Sequence, residues 1–245
     1  MFDPITPRTV VDDCADVIRD AILRGEISPG ERLPPERQLA EQLGVNRVTV
    51  RSALTRLAAS NLVTTRQGSG HVVQDFRSHG GPDLLPGLLA LSADHEDVVE
   101  TARDLLLVRR HLALAVLDRV VASGTAPRLG AVREAIDRFV AVASGDPDVE
   151  SLAAADMAVL RALLDATGSP VLQLCFNPVL QVVAHFDRLR DAIYADPASN
   201  VAGYMVLARW LEAPRAQPVE GVAALLARRD ALTLKRLAAS AGEPR

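Results

Sequence analysis

The chain has 245 residues, 49% hydrophobic, 24% charged and only 3% aromatic, with a formal net charge of -4 at pH 7. That length suits one large or two ordinary domains, and the balance is that of a globular protein with a core of Leu, Val and Ala, which excludes a disordered or fibrous chain. No apolar run approaches the roughly 20 residues of a membrane span, no basic and apolar secretory pattern opens the chain, and Cys14 and Cys175 form no CxxC pair, so a disulfide scaffold and a zinc ribbon are excluded and a reducing, cytoplasmic setting is expected.

The first domain is expected over residues 1–75. Asp12 or Asp13 is placed to cap a helix with Cys14, Val17, Ile18, Ala21 and Ile22 on one apolar face, ended by Gly25 and Pro29-Gly30. Pro35 suits a helix's first turn, where its missing N–H has no partner to lose, and opens a short helix over 36–43. Gly44 stops it. Asn46 can cap a third helix over about 47–61, with Val50, Leu54 and Leu57 inward. Two β-prone runs, 62–65 and 71–73, flank Gln67-Gly68-Ser69-Gly70, which is a hairpin signal. Helix, helix, tight turn, helix, hairpin is the order of a winged helix-turn-helix.

Residues 76–91, with Gly80-Gly81-Pro82 and Pro86-Gly87, read as a linker or a broken connection. Residues 92–240 read as helices without a convincing strand: a helix capped by Asp94 and running to 123, then 127–144, 149–167, 170–194, 199–211 and 218–239. Pro178 lacks a donor and clashes with the preceding turn, so a kink or break is expected there. Six helices over such a stretch make an all-α bundle. The expected fold is therefore mainly α, a winged helix-turn-helix with a small β-hairpin wing followed by a helical bundle.

Charge is unevenly placed. Between 32 and 71 stand Arg32, Arg37, Arg47, Arg51, Arg56 and Arg66 against Glu36 and Glu41, while the rest of the chain carries an excess of acids. A basic patch on an acidic protein is what a phosphate-binding face requires, although a solvated surface explains charge alone as well. In a helix-turn-helix the second helix of the pair lies in the major groove with its N-terminal side chains at base edges. Here that helix opens Asn46-Arg47-Val48-Thr49-Val50-Arg51. Arg47 and Arg51 are four apart and share a face outside the apolar stripe. Arginine can grip guanine O6 and N7 with two bonds, and Thr49 is short enough for a base edge or phosphate. Arg37 suits a phosphate or groove edge, the open N–H groups beside Asn46 favour an anion, and the unencumbered Gln67-Gly68 tip can approach the minor groove.

The stretch LPPERQLAEQLGVNRVTVRSALTRLAASNLVTTRQGSG closely resembles the N-terminal domain of GntR-family bacterial transcription regulators. The resemblance implies that Arg37, Arg47, Thr49 and Arg51 contact operator DNA and that Gln67 and Gly68 reach the minor groove. LLLVRRHLALAV and ADMAVLRALLDATGSPVL are similar to the effector domain of the FadR subfamily. Many members of that group hold a metal through an Asp, a His four residues later and two further histidines. Asp156 matches the Asp, but Leu160 stands at the first His, and by gapless extension Met205 and Arg228 stand near the other two. Neither a metal nor another cofactor is therefore expected.

The missing histidines are shared with the acyl-CoA-binding branch of the subfamily. The resemblance thus implies an acyl-CoA or other lipid-like effector, in a cavity to which Arg109, Asp156 and Met205 contribute. Arg109 could pair a carboxylate or phosphate with two bonds. The alternatives are a small carboxylate metabolite as effector, or DNA binding with no effector. One small domain reads too short a site for genomic discrimination, so a homodimer on double-stranded palindromic DNA is expected, with no membrane partner. No nucleophile elbow, Walker loop or HExxH occurs, so no enzyme is expected. The rivals are a helical hydrolase using Asp156 and His185, and a non-specific chromosome-architecture protein. Cys175 lies in an apolar stretch and is expected to be a buried thiol.

Overall fold

The computed structural model describes residues 9–66, 70–91, 95–123, 125–214 and 219–240. The chain divides into two compact units, Met1–Leu91 and Ser92–Arg245.

In the first unit α1 (Val10–Leu23) is capped by Thr9 rather than by Asp12 or Asp13. The Thr9 hydroxyl accepts the Asp12 N–H, and the Asp12 carboxylate accepts the Thr9 N–H at 2.9 Å. This reciprocal pair satisfies two otherwise orphaned donors and leaves the acids inside the first turn, where the helix dipole favours them. Gly44, in the left-handed region at φ 66°, ends α2 (Glu36–Leu43). Asn46 then caps α3 (Arg47–Ala59), accepting the Thr49 N–H at 2.8 Å. Val50, Ala53, Leu54 and Leu57 bury one face of α3 against Ile18, Ile22, Leu39 and their neighbours. The strand β1 (Val63–Arg66) pairs antiparallel with β2 (Gly70–Val73), Val63 opposite Val73, and Leu62, Val63 and Val73 close the same core. Gln67 and Gly68, the expected wing tip, lie outside the described residues.

Residues 76–91 are a connection broken into short helical pieces. They form α4 (Phe76–His79), a 3-10 turn at Pro82–Leu84 and α5 (Leu85–Leu91). Leu84 joins the core of the first unit, and α5 packs on α1 with Leu89 buried. Glycine and proline mark the bends correctly, but the leucines between them bury apolar surface and hold the segment down.

The second unit contains α6 (His95–Ser123), α7 (Ala126–Ala143), α8 (Val149–Thr167), α9 (Pro170–His185), α10 (Asp187–Tyr194), α11 (Pro197–Trp210) and α12 (Glu220–Ala239). No strand occurs among its described residues. Phe139, Ile136, Leu152, Val159, Leu189 and Leu237 are among its most buried side chains. The helix expected over 170–194 is two. Pro178 stays inside α9, and the break falls at Phe186, whose φ and ψ of -102° and 88° are not helical. The carbonyl that Pro178 leaves without a donor belongs to Leu174, an exposed residue, where water can replace the lost bond. Cys175 is exposed, contrary to expectation, whereas Cys14 is buried; burial pushes the Cys14 thiol pKa up. No described helix is long and apolar enough to cross a membrane.

Candidate nucleic-acid interface and ligand cavity

The start of α3 turns two arginines outward while its stripe of Val50, Ala53, Leu54 and Leu57 turns in. Arg47 is exposed. Arg51 donates from Nε and Nη2 to the Glu36 carboxylate of α2, at 3.1 and 2.8 Å, yet its side chain remains 71% exposed. Those hydrogen bonds, more than Coulomb attraction, hold the Glu36 carboxyl below the usual glutamate range and raise the Arg51 guanidinium. The clamp joins the first turn of α2, which carries exposed Arg37, to the first turns of α3. Arg37 meets Glu41 at only 3.8 Å, an exposed contact that leaves it available to another anion. Arg56, further along α3, is paired with Asp12 of α1.

Two of the expected contact residues have structural work at the same place. Thr49 is 9% exposed and faces the core side, and Asn46 gives its side-chain oxygen to the cap. Sequence reasoning overlooked Glu36, which fixes the direction of Arg51, and Val48, which is 73% exposed beside the two arginines. An acid fifteen residues from an arginine carries no periodic signal.

The second unit holds a cavity of about 100 Å³ bordered by α6, α8, α9, α11 and α12. Asp156 of α8 lies in its wall, buried. The Tyr194 hydroxyl donates to one Asp156 oxygen at 2.9 Å and the Tyr204 hydroxyl donates to the other. Burial first, then the neighbouring carboxylate charge, lifts both phenols well above their ordinary pKa, so they stay protonated as donors. With both oxygens engaged by phenols and Leu160 apolar in the same wall, the donor set does not fit the metal site that the resemblance associates with this Asp. Among the described residues no cluster of three His, Cys, Asp or Glu could hold an ion. His111 is exposed, and the His185 side chain lies outside the described residues.

Arg109 and Arg110 of α6 both border the cavity. Arg109 Nη2 donates to one oxygen of Asp230 at 2.5 Å and Arg110 Nη1 to the other at 3.0 Å. Asp230, on α12, is 3% exposed. Arg229, its neighbour, borders the cavity from the same helix, donates to the Asn200 amide oxygen, and lies 6.0 Å from the Tyr204 ring centroid. That ring is tilted against Phe139 at 4.7 Å.

Of the three residues expected at the cavity, Arg109 and Asp156 are there. Met205 is not: its side chain is largely outside, at 54% exposure, and Tyr204 and Leu207 border the space instead. Arg228 likewise is exposed, and Arg229 takes its place. Both slips are of one residue, which is about 100° around a helix of 3.6 residues per turn.

Residues 11–73 match the family described as bacterial regulatory proteins, gntR family, and residues 104–231 match the FCD domain. The chain belongs to the GntR family. This GntR-family chain is 52% identical over 88 residues to the HTH-type transcriptional regulator Mce2R of Mycobacterium tuberculosis, covering 36% of this chain and 37% of that one. It is 35% identical over 178 residues to another HTH-type transcriptional regulator of M. tuberculosis, covering 72% and 69%. It is also 35% identical over 162 residues to the fatty acid metabolism regulator protein of Edwardsiella ictaluri, covering 64% and 62%. The match thus spans little more than a third of Mce2R and just under two thirds of the fatty acid regulator. Among solved structures, Lar, which controls expression of the Listeria monocytogenes agr system, shares the fold at a TM-score of 0.60 and 16% identity, over 95% of this chain and 98% of that one.

Proposed function

We propose that this GntR-family protein is a sequence-specific transcription regulator, not an enzyme, that binds a short palindrome in double-stranded DNA as a homodimer and responds to a small-molecule effector in its helical unit. The observation that carries the reading is the start of α3. Arg47 and Arg51 project from it into solvent, and a glutamate on the preceding helix orients Arg51. A guanidinium held in one direction before contact loses less freedom on gripping a guanine edge or a phosphate. Arg37 is assigned to the backbone, and Gln67 and Gly68 to the minor groove. Asn46 and Thr49 set the helix start, whose open N–H groups face the same anion. On this reading the protein acts in the cytoplasm, where bacterial operator DNA lies.

Two effector classes have support. Relatives named fatty acid metabolism regulators favour an acyl-CoA or lipid-like ligand. The cavity favours a small carboxylate, because about 100 Å³ is below the roughly 300–1,000 Å³ of sites that enclose drug-sized ligands. Binding that shifts the population between two spacings of the DNA-binding heads would release the operator.

Selection from random duplexes, followed by footprinting, tests the regulator reading. A palindromic footprint that Arg47→Ala weakens is the expected result. Equal affinity for all duplexes would overturn it. Native mass spectrometry of protein from its own host separates the effector classes, since a co-bound CoA ester and a small acid differ by hundreds of daltons.

A further inference from the structure

We propose that Val48 reads a base, by packing its two methyl groups on the C5-methyl of a thymine in the major groove. The inference rests on the regulator reading, because it takes the outward face of α3 as the surface that meets DNA.

At about 100° per residue, Val48 stands opposite the stripe of Val50, Ala53, Leu54 and Leu57 that α3 buries. It is 73% exposed, the highest value of any large hydrophobic side chain among the described residues. A single exposed valine is ordinary on a protein surface. The surroundings of this one are not. Arg47 precedes it, Arg51 lies three residues on, and both are exposed. The rest of the outward row is short. Ser52 and Thr55 stand four and seven residues further along, and the Thr55 hydroxyl donates back to the Arg51 carbonyl at 2.9 Å. Arg56, the next long side chain, is tied to Asp12 of α1. A row of short side chains lets the start of α3 come close to base edges, with nothing long standing beyond Val48.

Valine at such a position does little for the fold. Its β-branch costs rotamer freedom in a helix, and the core of the first unit takes none of its surface. Nor does the face suit an apolar protein partner, which would strip water from two guanidinium groups without neutralising them. A polyanion neutralises them. The major groove of a duplex then offers hydrogen-bonding edges and one apolar group, the thymine methyl. Val48 carries no side-chain donor or acceptor, so that methyl is the one feature of a base edge from which it gains. Contact removes water from both apolar surfaces. The arginines would thus grip guanine or phosphate, while Val48 adds a preference for thymine beside them.

Deoxyuridine keeps the Watson–Crick edge of thymidine and lacks the methyl. Gel shifts with the full chain test the assignment on the palindrome obtained by selection from random duplexes, its thymines replaced one at a time by deoxyuridine. At one thymine position of each half-site, replacement is expected to weaken wild type about fourfold, the worth of one buried methyl-sized group. Val48→Ala is expected to bind the thymine and deoxyuridine duplexes alike at that position, so that the two changes are coupled and not additive. Alanine is the better helix former at an exposed position, so the variant keeps its fold. The inference is overturned if no replacement weakens wild type. It is equally overturned if Val48→Ala loses as much as wild type at the same position, which would give the methyl to another side chain. Either result, obtained on a selected palindrome, leaves the regulator reading standing. Wild type that prefers no duplex would strike that reading and this inference with it.

Discussion

On α3 the arginines end in water: Arg47 is exposed, and Arg51 stays so even while bonded to Glu36. In the helical unit Arg109 and Arg110 have side chains about a fifth exposed, and both are tied to a buried aspartate. The same side chain serves two geometries. On the proposed reading, a long polyanion arrives from outside and is met by reaching forks, whose contribution is screened and salt-dependent. The proposed small ligand would instead enter a space whose walls are already held in place, with the Arg109 and Arg110 donors engaged by the protein itself.

Removing Asp230 is the largest way to break that contrast. Asp230→Ala leaves two arginines without their shared carboxylate and is expected to destabilise the helical unit by about 3 kcal/mol, near the low end for a broken buried pair because the arginines are partly solvated. Urea denaturation followed by circular dichroism measures it; a loss below about 1 kcal/mol would put these arginines in the same class as those of α3. Next, Arg47→Ala should cost roughly 1–3 kcal/mol in operator affinity and relax base preference at one position of each half-site, while Arg37→Ala should weaken all duplexes alike and lower the salt slope by about one. Quantitative gel shifts at several salt concentrations distinguish these outcomes.

Smaller still is the cap of α1. Thr9→Ala removes the capping box and should lower the stability of the first unit by about 1 kcal/mol, read as a shift in its urea midpoint. The Glu36–Arg51 clamp should give the least. Because Arg51 depresses the Glu36 carboxyl below its ordinary value of 4.5, the stabilisation is present above that pH and fades as the pH falls through the lowered value. Melting temperatures between about pH 6 and 3 should drop slightly more steeply in wild type than in Glu36→Gln; parallel curves would mean that the clamp orients Arg51 without stabilising the fold.

The α2–turn–α3 segment was legible in the sequence because its determinants are local: the left-handed Gly44, the Asn46 cap, and a stripe recurring every three or four residues. Thr9 and Asp12 illustrate the limit of local reading. Asp12 reads as a candidate cap, but it is the third-position partner of Thr9, a residue the sequence reading passed over. The GntR-family cavity was half legible. Arg109 and Asp156 lie within matched segments, but Met205 and Arg228 were placed by carrying a register across loops. An error of one residue there rotates the wrong side chain to the front, which hid Tyr204 and Arg229. Glu36 and Asp230 had no signal at all, since what matters is which distant arginine each one meets.

Leu84 sets where the first unit can be cut. Seated with Ile18, Ile22 and Leu54 in one core, it makes the stretch after the wing a stopper for that unit. A fragment ended at residue 75 would lose this plug and uncover leucine-sized apolar surface, inviting aggregation, whereas one extended through Leu91 should stay monodisperse.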